Sequence, residues 1–341
     1  MIAAAARVAG DLTVAIRGEG IAGNCCAHLL GRAGYATTRT TRDRAPVPAI
    51  LLSDTALALL RSVFDRPTLF ADRPRIDRRI VAWGASEPVA LPHGAVVLSE
   101  GDLDAALGAP AGPPGVDAAM TIHTAAPFPA GALQSFGQRP AVATRVQLLQ
   151  DEDRSACWIE AVEAGWLFLI PSGGASAWLL AVGASAEVLA GQSRHIAPRV
   201  ALLGAPSAAF ETAPRMLATL QGPDWLACGS AAIAFDPICG DGTAQAVREA
   251  ILASAVIGAI GEGGDRDALR VHFESMMIAA MRRHLRLSAQ FYASGARGPW
   301  WDAQLANLAE GFDWCTARLA RMPEPRYELH DFRLVTRGAA V

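Results

Sequence analysis

The 341-residue sequence contains no lysine, so each of its 30 permanently cationic side chains is an arginine. This absence excludes mechanisms that depend on a lysine, such as a Schiff base, a P-loop phosphate clamp or a lysine general base. The formal net charge of −3 also provides no basic surface for nucleic acid. We therefore expect none of these functions.

Paired cysteines and long apolar runs are also missing. The six cysteines form no CxxC pair and have no histidine spacing suited to zinc, so we expect no metal site. No charged and apolar leader segment is visible, and glycine, proline or charge interrupts the longest apolar tracts before about 20 residues. We expect a reduced, cytoplasmic protein without a membrane span.

A glycine fingerprint follows the first predicted strand. Apolar residues 12–16 predict a strand, and apolar residues at helical spacing predict a helix that ends near Gly34. The first glycine between them allows a tight turn, the second lets a pyrophosphate approach the backbone, and the third allows close packing. With a second strand at 35–38, this βαβ unit predicts dinucleotide binding at the helix N-terminus. The motif is Gly18-Glu19-Gly20-Ile21-Ala22-Gly23.

The end of the second strand leaves the choice of dinucleotide open. An acidic residue that binds the adenosine ribose is expected there, but Thr41 occupies the position. Arg39, Arg42 and Arg44 crowd the same loop, where they would either bind a phosphate or remain solvated. The first motif therefore predicts a dinucleotide without identifying it.

A second glycine-rich turn precedes a helix predicted at 243–260. Its proline fixes the turn, its two glycines expose the backbone, and the dipole of the helix favours negative charge at the N-terminus. Two such helix N-termini directed at one cofactor are a more specific signal than either alone. The residues of this turn expected at the cofactor are Asp236, Pro237, Gly240, Asp241, Gly242 and Thr243.

The run at 228–244 resembles a segment of the flavin-dependent monooxygenases and halogenases. The resemblance implies contacts to the ribityl chain, the pyrophosphate and the flavin pyrimidine ring, although Ser230 stands where relatives usually have aspartate. The strand Trp166–Pro171 is similar to a strand of tryptophan halogenases. Two further elements of the family are degenerate here, at 100–104 and 121–125.

Within this superfamily the chain resembles the flavoproteins that mature tryptophylquinone enzymes, both quinohemoprotein amine dehydrogenases and lysine or glycine oxidases. The run at 236–250, the segment at 282–292 and the Trp300-Trp301 pair carry that likeness.

The resemblance implies an α/β chain with a glutathione-reductase-like Rossmann FAD-binding fold, an inserted antiparallel sheet and a C-terminal helical region. The expected domains are a discontinuous FAD-binding domain (1–140 and 220–260), a substrate domain built on the antiparallel sheet (141–219) and a helical region (261–341). Hydrophobic patterning independently predicts short strands at 80–83, 89–91 and 96–98, four strands between 141 and 185, and helices over 266–320.

The leading functional hypothesis is an FAD-dependent monooxygenase that hydroxylates an aromatic substrate. The resemblance suggests a Trp side chain in a protein or peptide during quinone-cofactor maturation, and a small free aromatic is the competing substrate. The missing lysine argues against halogenation. NAD(P)H or a partner flavin reductase would supply electrons, and catalytic residues are unknown, with Asp241, Asp236 and His123 as the titratable candidates.

Two other functions stay open. Thr41, Ser230 and Ala125 replace expected cofactor contacts, which favours a non-catalytic or weakly FAD-binding scaffold for a partner protein. The cluster at 39–44 favours an NADP-binding reductase.

Overall fold

The computed structural model describes residues 12–40, 47–84, 87–108, 118–204, 208–240 and 242–338. Thr41, Arg42, Arg44 and Asp241, which the sequence places at the cofactor, lie outside these ranges.

Seven helices and nineteen strands are found in the described ranges. The helices are α1 (Gly20–Arg32), α2 (Asp54–Phe64), α3 (Glu100–Leu107), α4 (Ala186–Gln192), α5 (Gly242–Gly261), α6 (Arg266–Ala293) and α7 (Pro299–Leu319). The strands of the first half are β1 (Thr13–Arg17), β2 (Ala36–Thr40), β3 (Ile50–Ser53), β4 (Arg75–Ala82), β5 (Val89–Leu98), β6 (Met120–His123), β7 (Leu133–Ser135), β8 (Pro140–Leu148), β9 (Ala156–Val162) and β10 (Gly165–Gly173). The remaining strands are β11 (Ser176–Val182), β12 (Val200–Leu202), β13 (Ala208–Glu211), β14 (Arg215–Leu217), β15 (Gln221–Gly222), β16 (Trp225–Ala227), β17 (Ile233–Ala234), β18 (Tyr327–His330) and β19 (Arg333–Thr336).

A five-stranded sheet in the order β15-β16-β6-β1-β2 carries the predicted βαβ unit. Strands β2, β1, β6 and β16 are parallel, and β15 is antiparallel to β16. Val14 and Ile16 alternate into the core with no solvent exposure. Because β1, β6 and β16 point the same way, their carboxyl ends meet at one edge of the sheet, where α1 begins.

A nine-stranded mixed sheet, with a main order of β12-β8-β11-β10-β9-β4-β5-β3, forms the second layer. The predicted strands between 141 and 185 are present as β8 to β11. The three short strands predicted between 80 and 98 are instead two long antiparallel strands, β4 and β5. Strand β4 also pairs with β9 in parallel, so the predicted domain boundary at residue 140 runs through one continuous sheet.

The two faces of this sheet are chemically distinct. Trp166, Phe168 and Ile170 share one face, as their alternation predicts, and pack into the main core of the molecule. Leu167 and Leu169 lie on the other face, in a separate apolar cluster that also contains Trp158 and α4.

The C-terminal helices follow the predicted pattern, with α6 and α7 separated by a break before Pro299. Among the described helices, α5 is long and apolar enough to cross a membrane by length and composition, with a mean hydropathy of 1.3. Its apolar window is 72% buried inside the fold, which is typical of a core helix.

Candidate functional site

The first glycine motif forms a tight connection between β1 and α1. Gly18 has φ +122° and Gly20 has φ +79°, both in the region that favours glycine. A Cβ on Gly18 would lie 2.5 Å from Thr124 Oγ1 and 2.8 Å from Ala125 N. Glu19 occupies the N-cap of α1 without a side-chain hydrogen bond to the helix. Glu19 therefore does not cap the first N–H groups of α1, and a phosphate-binding helix requires such groups to face its ligand.

Strand β6 ends directly beside this turn. The Thr124 N–H donates to the Arg17 carbonyl at 2.8 Å, and His123 pairs in register with Arg17. The His123 ring is buried and stands edge-on to Trp225, with centroids 6.0 Å apart. Burial, and then the Arg17 charge, lower the pKa of His123. This candidate is thus a neutral imidazole at the carboxyl edge of the sheet.

The end of β16 joins the two glycine motifs. A Cβ on Gly229, which has φ +83°, would lie 3.0 Å from Ala22 Cβ in the first turn of α1. The Gly229 N–H donates to Glu249 Oε2 of α5 at 2.7 Å. Burial raises the pKa of Glu249 to about 8. Sequence reasoning missed Glu249, and a lone acid within the apolar helix at 243–260 was the signal that could have identified it.

The second motif folds as a 3-10 turn followed by α5. Asp236 begins the turn, and its Oδ1 accepts the Ile238 N–H at 2.9 Å. Gly240 is left-handed, with φ +65°. Gly242 is exposed at the start of α5, Pro237 and Thr243 are half-buried, and Ser230 is exposed. The backbone at the start of α5 is therefore accessible, as the second motif predicts.

A buried polar network holds this turn from behind. Arg139 Nη1 forms an ion pair with Asp236 Oδ2, and both side chains are fully buried. The Tyr292 hydroxyl donates to the same oxygen at 2.9 Å, and Trp166 Nε1 donates to Tyr292 at 3.1 Å. The Asp236 N–H donates to His284 Nε2 at 2.8 Å. The geometry gives Asp236 an anchoring role, because its carboxylate is occupied by these partners.

Two titratable neighbours of the ion pair, His284 and Tyr292, are uncharged at neutral pH. Burial lowers the pKa of His284 to about 3 and raises the pKa of Tyr292 to about 12. Arg139 Nε also donates to Gln304 Oε1 of α7 at 3.0 Å. The network thus ties the turn to both α6 and α7. Nothing in the local sequence around Asp236 indicates these partners.

The degenerate element at 100–104 has structural roles in this chain. The Val47 N–H donates to Glu100 Oε2 at 2.8 Å, which fixes the loop before β3. Asn24 Nδ2 of α1 donates to Asp104 Oδ1 at 3.0 Å. The carboxylate of Asp104 also lies close enough to Arg39 to stabilise its charge electrostatically. This acid therefore lies beside the ribose end of the predicted dinucleotide site.

An apolar cavity of about 290 Å³ opens between the nine-stranded sheet and the 3-10 turn. Trp83 closes one side, with Nε1 donating to the Phe291 carbonyl at 2.8 Å, and Phe291 is 45% exposed at the mouth. The cavity brings the second motif next to the sheet face that carries Phe168. Its lining residues are Arg79, Val81, Trp83, Ile159, Ile238, Phe291 and Ser294.

Comparisons with known proteins identify the fold. No family model matches the sequence, and no curated protein matches it by sequence. Among solved structures, the chain is similar to CmlS, a flavin-dependent halogenase, with a TM-score of 0.74 and 17% identity over 94% of this chain and 74% of that one. It is similar to the myxobacterial chondrochloren halogenase CndH, a variant FAD-dependent halogenase, with a TM-score of 0.69 and 16% identity over 96% and 94%.

A third similar structure is described as a hydroxylating enzyme. QhpG, described as a peptidyl tryptophan dihydroxylase essential for tryptophylquinone cofactor biogenesis, gives a TM-score of 0.66 and 19% identity over 85% of this chain and 78% of that one. The chain therefore has the fold of the FAD-dependent halogenases and of this dihydroxylase. The predicted superfamily resemblance is confirmed at the level of fold.

Proposed function

We propose that this chain is an FAD-dependent monooxygenase that oxidises an aromatic ring. The observation that carries the proposal is the junction at Gly229, where the first turn of α1 and the carboxyl group of Glu249 in α5 meet. This junction packs α1 against α5 at one edge of the parallel sheet, and the turn that leads into α5 lines the apolar cavity through Ile238. Such an edge is where open α/β folds bind cofactors.

The residues of both motifs fit FAD. The uncapped N–H groups that follow Gly18 and Gly20 would hold the pyrophosphate, and the exposed start of α5 would hold the flavin ring. Ser230 is exposed and would contact the ribityl chain. When bound, FAD supplies the electron transfer and the activation of O₂ that no amino-acid side chain provides. We also propose contacts from Glu19, Ile21, Ala22 and Gly23 in the first motif, from Pro237, Gly240, Asp241, Gly242 and Thr243 in the second, and from Thr41, Arg42 and Arg44.

The chain itself would position the substrate and exclude water. Ile238 and Ile159 provide an apolar floor, and Trp83 closes one wall of the cavity. The ion pair between Arg139 and Asp236 keeps the turn in place beneath the substrate. We propose oxygenation rather than halogenation because the sequence contains no lysine.

The proposed substrate is a Trp side chain within a peptide or protein. The apolar mouth of the cavity supports this, because Phe291 on α6 is 45% exposed there and would contact a bulky substrate. The cavity volume suits one aromatic side chain. Similarity in fold to a peptidyl tryptophan dihydroxylase is consistent with this choice.

Reconstitution with FAD tests the cofactor proposal. The purified protein should acquire the visible spectrum of bound oxidised flavin, and Gly20→Val should lose it, because a β-branched residue is strained at φ +79°. Gly31→Ala is the matched control in the same helix, since a Cβ there meets no atom within 4 Å. A colourless wild type would favour the scaffold, and stabilisation by NADP alone would favour the reductase. Flavin binding by Gly20→Val equal to wild type would refute the assignment of the first motif.

A second experiment tests the substrate. The FAD-bound protein is incubated with a reductant, O₂ and either free tryptophan or the polypeptide encoded beside its gene. The mass of each product is then measured. Oxygen should be added to the polypeptide. If oxygen is added only to the free amino acid, the peptide substrate is refuted and the monooxygenase activity is not.

A further inference from the structure

The apolar cavity contains a single cation among its seven lining residues, Arg79 of β4. This side chain extends toward the second motif, because a Cβ on Gly240 would lie 3.1 Å from Arg79 Nη2. Its Cζ also lies 5.8 Å from the centroid of the Phe168 ring. A positive charge is therefore fixed where the sheet face and the 3-10 turn meet.

Neutral groups hold Arg79 in this position. Its Nη2 lies 3.2 Å from His93 Nε2, and it also hydrogen-bonds the Cys157 thiol. Burial, and then the Arg79 charge, lower the pKa of His93, whereas burial raises the pKa of Cys157. Both partners are therefore uncharged at neutral pH. They orient the guanidinium without neutralising it.

The neighbouring arginines of β4 are used differently. Arg75 forms an ion pair with Asp54 at 3.0 Å, and Arg78 Nη2 donates to the Glu152 carbonyl at 2.7 Å. Within the described ranges, no carboxylate forms an ion pair with Arg79, and its buried Nε has no hydrogen-bond partner. A guanidinium in an apolar site is costly to desolvate unless an anion accompanies it. The cavity is thus suited to a ligand that brings negative charge.

We propose that this cavity binds an aromatic ring carrying an anionic oxygen, and that Arg79 holds that oxygen. The proposal rests on the proposed function and narrows its substrate: a Trp side chain fits only once its indole ring carries a hydroxyl, because unmodified indole has no anionic oxygen. The apolar walls accept the ring, and the guanidinium makes charge-assisted hydrogen bonds to the oxygen. Arg79 is a specificity-determining residue that orients the ring beside the turn at Gly240. The oxygen comes either from an ionised ring hydroxyl, such as that of a hydroxylated indole, or from a ring carboxylate.

Ligand binding to the flavin-free protein tests the proposal directly. Three single-ring probes are compared by calorimetry: benzoate, 4-nitrophenol in its ionised form, and neutral nitrobenzene. Wild type should bind at least one anion about 10-fold more tightly than nitrobenzene, because charge-assisted hydrogen bonds are the stronger kind. Arg79→Gln should remove that preference while leaving nitrobenzene affinity unchanged. Arg78→Gln is the matched control, since it changes the adjacent arginine on the opposite face of the strand, and it should keep the preference.

The outcomes separate the sources of the oxygen and the two proposals. Preference for benzoate alone assigns a ring carboxylate, and preference for 4-nitrophenolate alone assigns a ring hydroxyl. A wild type that binds nitrobenzene as tightly as either anion overturns the proposal, even if Arg79→Gln fails to fold. So does an Arg79→Gln variant that keeps the preference. A wild type that binds no flavin but still prefers an anion would refute only the proposed function.

Discussion

The buried carboxyl of Glu249 should make the stability of the protein strongly dependent on pH. This side chain lies entirely inside the fold and accepts the Gly229 N–H at 2.7 Å. Burial raises its pKa from the ordinary value of 4.5 to about 8, so the folded protein keeps a proton that the unfolded chain loses. The stability that the protonated group contributes is therefore complete below about pH 4.5 and is lost as the pH rises toward 8.

The magnitude follows from linkage between folding and proton binding. Between those two pKa values the free energy of unfolding should fall by about 1.4 kcal/mol for each pH unit because of this one group. Glu249→Gln keeps an oxygen to accept the Gly229 N–H but cannot ionise. The free energy of unfolding of the variant minus that of wild type should therefore rise by about 4 kcal/mol between pH 5 and pH 8. That is a large share of the total stability of a typical domain.

Urea unfolding at several pH values measures this difference. Subtracting the wild-type curve from that of Glu249→Gln cancels the groups that titrate equally in both proteins. Glu310→Gln, at an exposed position of α7, is the matched control and should give a difference that does not change with pH. If the Glu249→Gln difference is also flat, the carboxyl is ionised in the folded protein and the reasoning fails.

Three further predictions concern the site. Gly18→Ala should lower the free energy of unfolding by more than about 1 kcal/mol and abolish flavin binding, because of the clash with Thr124 and the positive φ. Gly31→Ala should be neutral or stabilising by up to about 1 kcal/mol, and chemical denaturation compares the two variants. Arg139→Met should cost about 3–5 kcal/mol by leaving Asp236 buried without its counter-ion, and an equal cost for Arg75→Gln, at an exposed ion pair, would contradict this. The purified protein should contain less than one FAD per chain, which the flavin-to-protein absorbance ratio measures, since Ser230 replaces an anionic contact.

The elements that could be predicted from the sequence are those with a local signature. Gly18 and Gly20 mark the turn between β1 and α1, because their positive φ angles favour glycine. Alternation along 166–170 assigns each side chain to a face of β10, because the period of a strand is 2. In both places the pattern and the structure depend on adjacent residues, so no knowledge of the rest of the chain is required.

The strands between 75 and 98 show where local patterning fails. Arg75, Asp77, Arg78 and Arg79 interrupt the apolar pattern of β4, so only its last residues resemble a strand. What stabilises this strand is pairing with β9, about 80 residues further along the chain, and with β5. The polar residues that hide the strand from pattern analysis include the one charge that lines the cavity.

The same reason explains why the role of Asp236 was not visible in the sequence. A carboxylate at the start of a glycine-rich turn suggests chemistry when only its neighbours in the chain are known. Its actual partners are Arg139, which lies 97 residues away in sequence, and Tyr292, which lies 56 residues away. A buried carboxylate with such partners is fixed in place, which suits it to hold a turn. Among the groups proposed for ligand contact, the proposed variants change the N-terminus of α1, through Gly18 and Gly20, and Arg79.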